Sequence, residues 1–350
     1  MTVDGEERRA RIWLSGVFEP GDPVAAKLMA QFPATAVLER ILAASADETT
    51  RFSVWRQRAC RIDDAALQRA ADDVGARFVC PGDEEWPVAL ADLDTHADAA
   101  RLNPAPLGLW LRGARRLEAV AESAVAIVGS RAATAYGEHA ARDLAYGCVA
   151  AGLTVVSGGA YGIDAAAHQG ALARGGPTVA VLAGGVDRPY PSGNAALLRE
   201  ISANGVLVSE AAPGARPSKA RFLVRNRLIA ALSRGAVVVE AALRSGSLST
   251  ARWARDLGRS VMGVPGPVTS MTSAGVHELL RQPETTLVTD AGEVVEQVCS
   301  IGSQPAARKV GEARSEDALD ERQRRALDGL PVGWGAPLES IAREAGLRPA

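Results

Sequence analysis

The amino-acid sequence predicts an α/β fold in which a doubly wound, mainly parallel β-sheet is covered by helices on both faces. From Val125 onward, short apolar runs alternate with amphipathic segments of helical length. The runs are continuously apolar, which is typical of parallel strands that are buried on both faces. This pattern predicts an extended Rossmann-like domain over residues 119–299, with ligands at the carboxyl ends of its strands. The predicted strands lie at 125–130, 153–159, 178–185, 205–210, 236–241 and 260–266.

The segments on either side of this domain have different patterns. Residues 1–70 carry apolar residues at helical spacing and predict a small helical domain. Residues 71–118 contain two short extended pieces and are expected to form a connector that packs on the following domain. Residues 300–318 have the polar composition of a linker. Residues 319–350 resemble the first two helices of an incomplete winged-helix-like module.

Size and composition favour a folded chain with more than one domain. The chain has 350 residues, of which 47% are hydrophobic and 23% charged, and its formal net charge is −2. Its apolar runs are far shorter than the roughly 18 residues that a membrane span needs, and its charged N-terminus is unlike a signal peptide. We therefore expect a cytoplasmic protein without a membrane partner. Four scattered cysteines are expected to be isolated structural thiols, at positions 60, 80, 148 and 299.

Glycine and serine follow almost every predicted strand. The glycines let backbone N–H groups approach an oxygen-rich ligand, and the helix N-terminus that follows favours an anion. One such loop is more often a tight turn than a binding site. Several of them on one edge of a sheet predict an extended phosphate-binding edge. The loops are GSRAATAYG (129–137), SGGAYGID (157–164), AGGVDRPYP (183–191), RSGSLST (244–250) and PGPVTS (265–270).

These loops do not match the common nucleotide-binding motifs. The first strand is not followed by GxGxxG, because the glycine after Gly129 is Gly137. The second strand ends in Ser157, Gly158 and Gly159 instead of an acidic residue for a ribose, and GK[ST] does not occur. An NAD-linked oxidoreductase is therefore not predicted, and neither is a protein with a Walker loop.

A basic segment lies between Glu210 and Glu240, where the sequence has no acidic residue. Its cations offer phosphate contacts, and Phe222 offers an aromatic face on which an unpaired base can stack. This combination favours single-stranded nucleic acid as the ligand. The alternative is an amphipathic helix whose apolar residues form the core while its arginines are only solvated, and spacing alone leaves both open. The cations are Arg216, Lys219, Arg221, Arg225, Arg227 and Arg234.

Asp164 and His168 lie four residues apart, where a helix is expected to begin. We interpret Asp164 as the helix N-cap and His168 as a packed side chain. A catalytic Asp-His dyad is the alternative, but a nucleophile motif such as GxSxG does not accompany it. Asp187, Glu210 and Glu240 follow strands and are expected to cap or hold loops, not to bind a metal.

Taken in order, these motifs resemble those of the DNA-processing protein A family, also called Smf. The resemblance covers residues 120–290 densely and implies an extended Rossmann-like domain that binds single-stranded DNA without cutting it. It also implies a homodimer that helps load the RecA recombinase onto incoming strands during natural transformation. Neither a catalytic residue nor a metal or cofactor is expected. The segments that carry the resemblance are GSRAATAYG, SGGAYGIDAAAHQGAL, TVAVLAGGVDRPYPSGNAALLREI, LVSEAAPGARPSKARFLVRNRLIAALS, VVVEAALRSGSLSTARWARDLGR and VMGVPG.

The loops, the basic segment and the resemblance together predict DNA contacts along the strand-end edge, with the Lys219 and Arg225 side chains facing solvent. An alternative function is a nucleotide phosphoribohydrolase of the cytokinin-activating type, because RSGSLSTARWAR distantly resembles the GGxGTxxE loop of those enzymes. However, no carboxylate lies between Glu240 and Asp256 to stabilise an oxocarbenium-like transition state. The expected DNA-binding residues are Ser130, Arg131, Gly158, Gly159, Lys219, Arg221, Phe222, Arg225, Asn226, Arg227, Ser245, Gly246 and Ser247.

Overall fold

The structure is a computed structural model that describes residues 3–44, 51–95, 104–300, 306 and 315–348. Residues 1–306 form one compact unit and residues 307–350 form a second. The expected linker at 300–318 lies largely outside the described residues. Within the described ranges, no helix has both the length and the apolar character that crossing a bilayer would require.

The first unit is built on a mixed, mainly parallel sheet. Its strands are β1 (Ala76–Val79), β2 (Leu109–Arg112), β3 (Ala124–Val128), β4 (Thr154–Ser157), β5 (Thr178–Leu182), β6 (Val206–Ser209), β7 (Gly235–Val238), β8 (Ser260–Gly263) and β9 (Thr285–Leu287). They are arranged in the order β1-β2-β6-β5-β4-β3-β7-β8-β9. Strands β3 to β9 pair in parallel, while β2 pairs antiparallel with both β1 and β6. The predicted fold class is confirmed.

Helices cover both faces of this sheet because its strands are apolar on both sides. Val125 and Ile127 of β3 belong to one core, whereas Ala124, Ala126 and Val128 of the same strand belong to the other. Successive side chains of a strand point to opposite faces, so one strand contributes to two cores. The helices that follow the strands of this domain are α7 (Leu117–Ala121), α8 (Ala135–Ala150), α9 (Ile163–Ala173), α10 (Ala195–Asn204), α11 (Lys219–Ala231), α12 (Ser247–Asp256), α13 (Ala274–Leu280) and α14 (Ala291–Val298).

The N-terminal residues form a helical bundle with a core of its own. Leu14, Val17, Ile41 and Trp55 are fully or almost fully buried in it. The bundle contacts the sheet domain directly, since the indole Nε1 of Trp110 on β2 donates to the Ser15 hydroxyl at 3.1 Å. The helices are α1 (Gly5–Val17), α2 (Pro23–Gln31), α3 (Ala34–Ala43), α4 (Arg51–Ala59) and α5 (Asp64–Asp72), and a short α6 (Asp92–Thr95) follows β1.

In its described residues, the second unit has α-helices where the sequence places them, α15 (Glu321–Asp328) and α16 (Leu338–Glu344). A capping box starts α15: the Asp320 side chain accepts from the Gln323 backbone, and the Gln323 side chain accepts from the Asp320 backbone. This reciprocal pairing satisfies two backbone donors that the helix cannot use.

Candidate nucleic-acid interface

A cleft of about 1080 Å³, which we call the strand-end cleft, opens at the carboxyl ends of β3, β4 and β7. The chain runs from β3 through β4, β5 and β6 on one side and then returns to place β7 on the other side of β3. Such a reversal leaves a crevice where open α/β sheets bind their ligands. The expected DNA-binding residues that line the cleft are Ser130, Arg131, Lys219, Phe222, Arg225, Asn226, Ser245, Gly246 and Ser247.

Exposed cations surround the mouth of this cleft. Arg131 and Lys219 are exposed, as the sequence led us to expect. Arg244 and Arg252 are also exposed lining residues. Asp164 is the carboxylate among the residues that line the cleft, and it is buried. The opening is therefore positively charged and suited to a polyanion.

Phe222 presents its ring to the cleft next to other planar groups. The Arg131 guanidinium carbon lies over this ring, 4.5 Å from the ring centroid. The Tyr190 ring is tilted against Phe222 with its centroid 5.9 Å away, and it is exposed. Aromatic rings and guanidinium planes are surfaces on which unpaired bases stack.

Arg225 lies at the bottom of the cleft and not at its mouth. Its side chain is buried, and Nη1 donates a hydrogen bond to the Val181 carbonyl. Gly158 makes this position possible, because a Cβ at that residue would overlap Nη1. Burial lowers the pKa of Arg225 to about 10, so the guanidinium is protonated at neutral pH. The expectation that Arg225 faces solvent is wrong, because α11 packs this face against β5.

Arg227 does not reach the cleft at all. Its side chain is fully buried and forms an ion pair with Glu210, with Nη2 and Oε2 2.8 Å apart. Its Nε donates to the Pro104 carbonyl at 3.0 Å. Arg227 is therefore a structural residue that joins α11 to the chain after β6, and it is not among the residues that line the cleft.

Arg221, Gly158 and Gly159 also lie outside the residues that line this cleft. Arg221 forms an ion pair with Glu19 of the N-terminal bundle, with Nη2 and Oε2 3.0 Å apart. Gly159 adopts a left-handed φ of 67°, and its carbonyl accepts a hydrogen bond from Asn194 Nδ2 at 3.0 Å. The two glycines shape the loop after β4, while Arg221 faces a different cavity.

The RSGSLST loop forms one wall of the cleft and is fixed to α11. Asn226 Nδ2 donates to the Gly246 carbonyl at 3.1 Å, and the hydroxyls of Ser245 and Ser247 are hydrogen-bonded at 2.7 Å. Ser247 is the first residue of α12. The N-cap residue is Gly246, which has no side chain to cap the helix. The N–H groups of Ser247, Leu248 and Ser249 already donate within the loop, so only the positive end of the helix dipole favours an anion here.

Asp164 is structural, but it is not the N-cap. Gly162, with a φ of 71°, precedes the first residue of α9, and Asp164 is the second helical residue. Its carboxylate accepts the backbone N–H groups of Gly158 at 3.2 Å and Ala160 at 3.4 Å. Burial raises the pKa of Asp164, although the nearby Arg225 opposes this shift. The Asp164 side chain thus fixes the conformation of the loop after β4.

His168 is a packed side chain, as expected. Its Nδ1 lies 2.8 Å from the Thr178 hydroxyl, which donates its own proton to the Val155 carbonyl at 2.7 Å. Since that hydroxyl hydrogen is already used, Nδ1–H of the imidazole is the donor to Thr178. Burial lowers the pKa of His168 to about 3. A neutral, fully buried imidazole without a contact to Asp164 does not form a catalytic dyad.

The three carboxylates after strands hold loops in place. The Glu240 carboxylate accepts two hydrogen bonds from Thr134, one from the backbone N–H at 2.9 Å and one from the hydroxyl at 2.6 Å. Glu210 accepts from the Gly21 backbone at 3.0 Å, and Asp187 from the Gly214 backbone at 2.9 Å. The interpretation of these acids as loop-holding groups is confirmed. The described residues contain no cluster of three or more His, Cys, Asp and Glu side chains that could hold a metal ion.

Sequence reasoning missed three residues at the mouth of the cleft: Tyr190, Arg244 and Arg252. Arg244 is the first residue of the predicted RSGSLST loop, although it was not among the expected DNA-binding residues. Tyr190 likewise lies in the predicted AGGVDRPYP loop, whereas Arg252 lies outside the predicted loops and reaches the cleft through the packing of α12.

Comparison with known proteins gives consistent matches over the sheet domain. The sequence model of a family described as DNA recombination-mediator protein A matches residues 77–299. A Mycobacterium tuberculosis relative that carries the DprA name is 52% identical over 293 residues, which are 81% of this chain and 75% of the relative. A DNA processing protein DprA of Streptococcus pneumoniae is 36% identical over 243 residues, or 69% of this chain and 81% of that protein.

Two solved structures resemble the chain as well. The X-ray structure of Streptococcus pneumoniae DNA processing protein A aligns with a TM-score of 0.68 and 30% identity, covering 86% of this chain and all of that one (100%). A Helicobacter pylori DNA processing protein A, solved for insight into its single-stranded DNA binding mode, aligns with a TM-score of 0.54 and 29% identity. That alignment covers 63% of this chain and 94% of the Helicobacter chain.

Proposed function

The chain belongs to the DNA recombination-mediator protein A family, and from this premise we propose that it binds single-stranded DNA in the strand-end cleft. The observation that carries the proposal is the combination of exposed cations with a half-buried Phe222 in one groove. Arg131 and Lys219 bind phosphates at the mouth, assisted by Arg244 and Arg252. Unpaired bases stack on the Phe222 and Tyr190 rings.

Several features support this assignment over binding to duplex DNA. Flat aromatic surfaces in a groove accept bases that are not already stacked in a helix. The cations lie on loops and helix ends, where they contact the backbone of a flexible strand without reading its sequence. The relative from Helicobacter pylori, described by its single-stranded DNA binding mode, supports the same assignment.

We further propose that the protein acts without catalysis. The Asp164 carboxylate in the cleft accepts backbone N–H groups, and the Glu240 carboxylate after β7 accepts from Thr134, so both are engaged in the fold. A nucleotide phosphoribohydrolase would need a carboxylate free to stabilise a cationic sugar. We expect no free base after incubation with nucleoside monophosphates, and release of base would contradict the proposal.

The cellular role follows from the same premise. We propose that the protein coats incoming single strands in the cytoplasm as a homodimer and helps load the RecA recombinase during natural transformation. Light scattering at micromolar concentration should give the mass of a dimer. Strand exchange by RecA on DNA already covered with a single-strand-binding protein should start faster when this protein is added. If light scattering shows only a monomer, the proposed homodimer is wrong. If strand exchange does not start faster, the proposed role in RecA loading is wrong.

The direct test is a salt titration of single-stranded DNA binding by fluorescence anisotropy. Each phosphate contact on a single strand contributes about 0.7 to the slope of log affinity against log salt. The variant Arg131→Ala with Lys219→Ala should weaken binding to all sequences and lower the slope by about 1.4 in total. Arg142→Ala, a change at a partly exposed residue of α8 that does not line the cleft, is the control. If the double variant binds like the unmodified protein, the site is placed wrongly.

A further inference from the structure

A second cavity of about 560 Å³ lies between the N-terminal bundle and the loop before α11. Gly16, Glu19, Ile62 and Leu67 form its bundle side. The other side is formed by the loop at 212–218 and by Arg221. Because it is open and lies between two separately packed cores, this cavity is a groove between two parts of the first unit.

The second cavity adjoins the strand-end cleft. Pro217 and Ser218 line both of them, so these two residues form a shared rim. Lys219 lies directly after this rim, at the mouth of the strand-end cleft, and Arg216 lies directly before it, in the second cavity. A strand that follows the surface across the rim therefore meets one cation on each side of it.

The second cavity is positively charged, with one neutralising group. Arg216 is exposed and Arg221 is partly exposed, and Glu19 is the carboxylate among the lining residues, all of which lie in described ranges. Glu19 accepts from Arg221 at 3.0 Å and from Arg58 of α4 at 3.2 Å. The Glu19 side chain is 48% exposed, so its two ion pairs are in contact with water.

We infer that single-stranded DNA continues from the strand-end cleft over Pro217 and Ser218 into the second cavity, where the N-terminal bundle contributes to the binding site. There the strand's phosphates contact Arg216 and replace Glu19 as the partners of Arg221 and Arg58. The inference rests on the proposed function, since it extends the path of the same ligand. Exposed ion pairs contribute little to stability, so exchanging a carboxylate for a phosphate costs little.

The extended path has a consequence that depends on strand length. A short oligonucleotide occupies only the strand-end cleft, whereas a longer one also reaches the second cavity. The test is a ladder of oligothymidylates from about 4 to about 20 nucleotides, which brackets the site sizes of common single-strand-binding folds. Affinity and salt slope are measured for the full-length chain at each length.

Arg216→Ala is the main variant because this side chain is exposed and the substitution leaves the neighbouring backbone contacts in place. It should weaken binding of the longest strands about three- to fivefold and lower their salt slope by about 0.7, with no change for the shortest. Arg9→Ala removes an exposed arginine of α1 that lines neither cavity and is the matched control. Glu19→Gln should tighten binding of long strands only, because a carboxylate no longer competes for Arg221 and Arg58.

Other outcomes separate this inference from the proposed function. If Arg216→Ala and Glu19→Gln leave every length unchanged while Arg131→Ala with Lys219→Ala weakens them all, the strand-end cleft binds DNA and the extended path is wrong. If Glu19→Gln lowers the melting temperature and leaves DNA binding unchanged, Glu19 only links the bundle to α11 and does not compete with DNA for Arg221 and Arg58. If the strand-end variant also has no effect, the proposed function itself fails.

Discussion

Arg227 and Glu210 form a buried ion pair whose removal gives a clear prediction at the scale of single residues. The Arg227 side chain is fully buried, and the Glu210 side chain is 10% exposed. Arg227→Ala leaves Glu210 without its partner, which should lower the free energy of unfolding by about 3–5 kcal/mol. Chemical denaturation measures this loss.

Binding of single-stranded DNA by the Arg227→Ala protein is the second measurement. Under conditions where the Arg227→Ala protein is folded, it should bind single-stranded DNA as the unmodified protein does, because the guanidinium lies outside the strand-end cleft. A folded variant with a reduced salt slope would show that Arg227 contacts the strand after all.

His168 predicts a pH dependence of stability. Burial holds the pKa of the folded form near 3, whereas the unfolded form titrates near the usual imidazole pKa of 6.5. The unfolded state therefore binds more protons between these values, and stability falls as pH falls through 6.5. The loss approaches about 1.4 kcal/mol per pH unit below that point.

The variant His168→Gln isolates this contribution. Urea unfolding between pH 6.5 and 5 should show a shallower decline for the variant than for the unmodified chain. His139→Gln, an exposed change on α8, is the control. Equal slopes for the His168 variant and the unmodified chain would mean that the imidazole is accessible to protons in the folded state.

The residues of α11 show why the sequence could predict the site only in part. Lys219 and Phe222 lie where the sequence placed them because they are in the first turn of a helix that starts at the cleft. Arg225 and Arg227 are buried by partners far away in the sequence, Val181 and Glu210. Spacing within one helix shows which residues share a face, but it does not show what that face meets.

At the scale of elements, two glycines at the strand-end cleft give opposite predictions. A Cβ at Gly158 would overlap the Arg225 guanidinium, whereas a Cβ at Gly246 would meet no atom within 4 Å. Gly158→Ala should destabilise the protein by about 1–3 kcal/mol through overpacking. Gly246→Ala, at a φ of −64°, should stabilise it by about 0.4–1 kcal/mol through the unfolded state. Thermal unfolding compares the pair, and equal effects would contradict the described position of Arg225.

The strands differ in how well the sequence predicts them. The continuous apolar runs of β3 to β8 gave correct strands because central parallel strands are buried on both faces. The edge strand β9 was missed because its three residues are half-buried or exposed and have no such run. The two extended pieces at 71–118 are β1 and β2, and the pairing of β2 with β6 joins segments that are far apart in the sequence, which no local pattern predicts.

At the scale of the whole molecule, the division into two units predicts the effect of a truncation. Every residue that lines the strand-end cleft or the second cavity belongs to the unit that ends at Ala306. A protein ending at Ala306 should therefore melt and bind single-stranded DNA as the 350-residue chain does. Calorimetry and anisotropy measure both properties. Weaker binding by the shortened protein would show that residues 307–350 contribute to the affinity.

The antiparallel pairing of β2 with β6 also determines when the sheet can be completed on the ribosome. Trp110 pairs with Ser209, so one edge of β2 has no partner until the chain has been synthesised past β6. Non-local pairing of this kind is slow and leaves a strand edge open to other chains. Nascent chains stalled before Val206 should be readily digested by protease around β2, and those stalled well beyond Ser209 should resist. Early resistance would mean that the β1–β2 hairpin and the N-terminal bundle fold without the rest of the sheet.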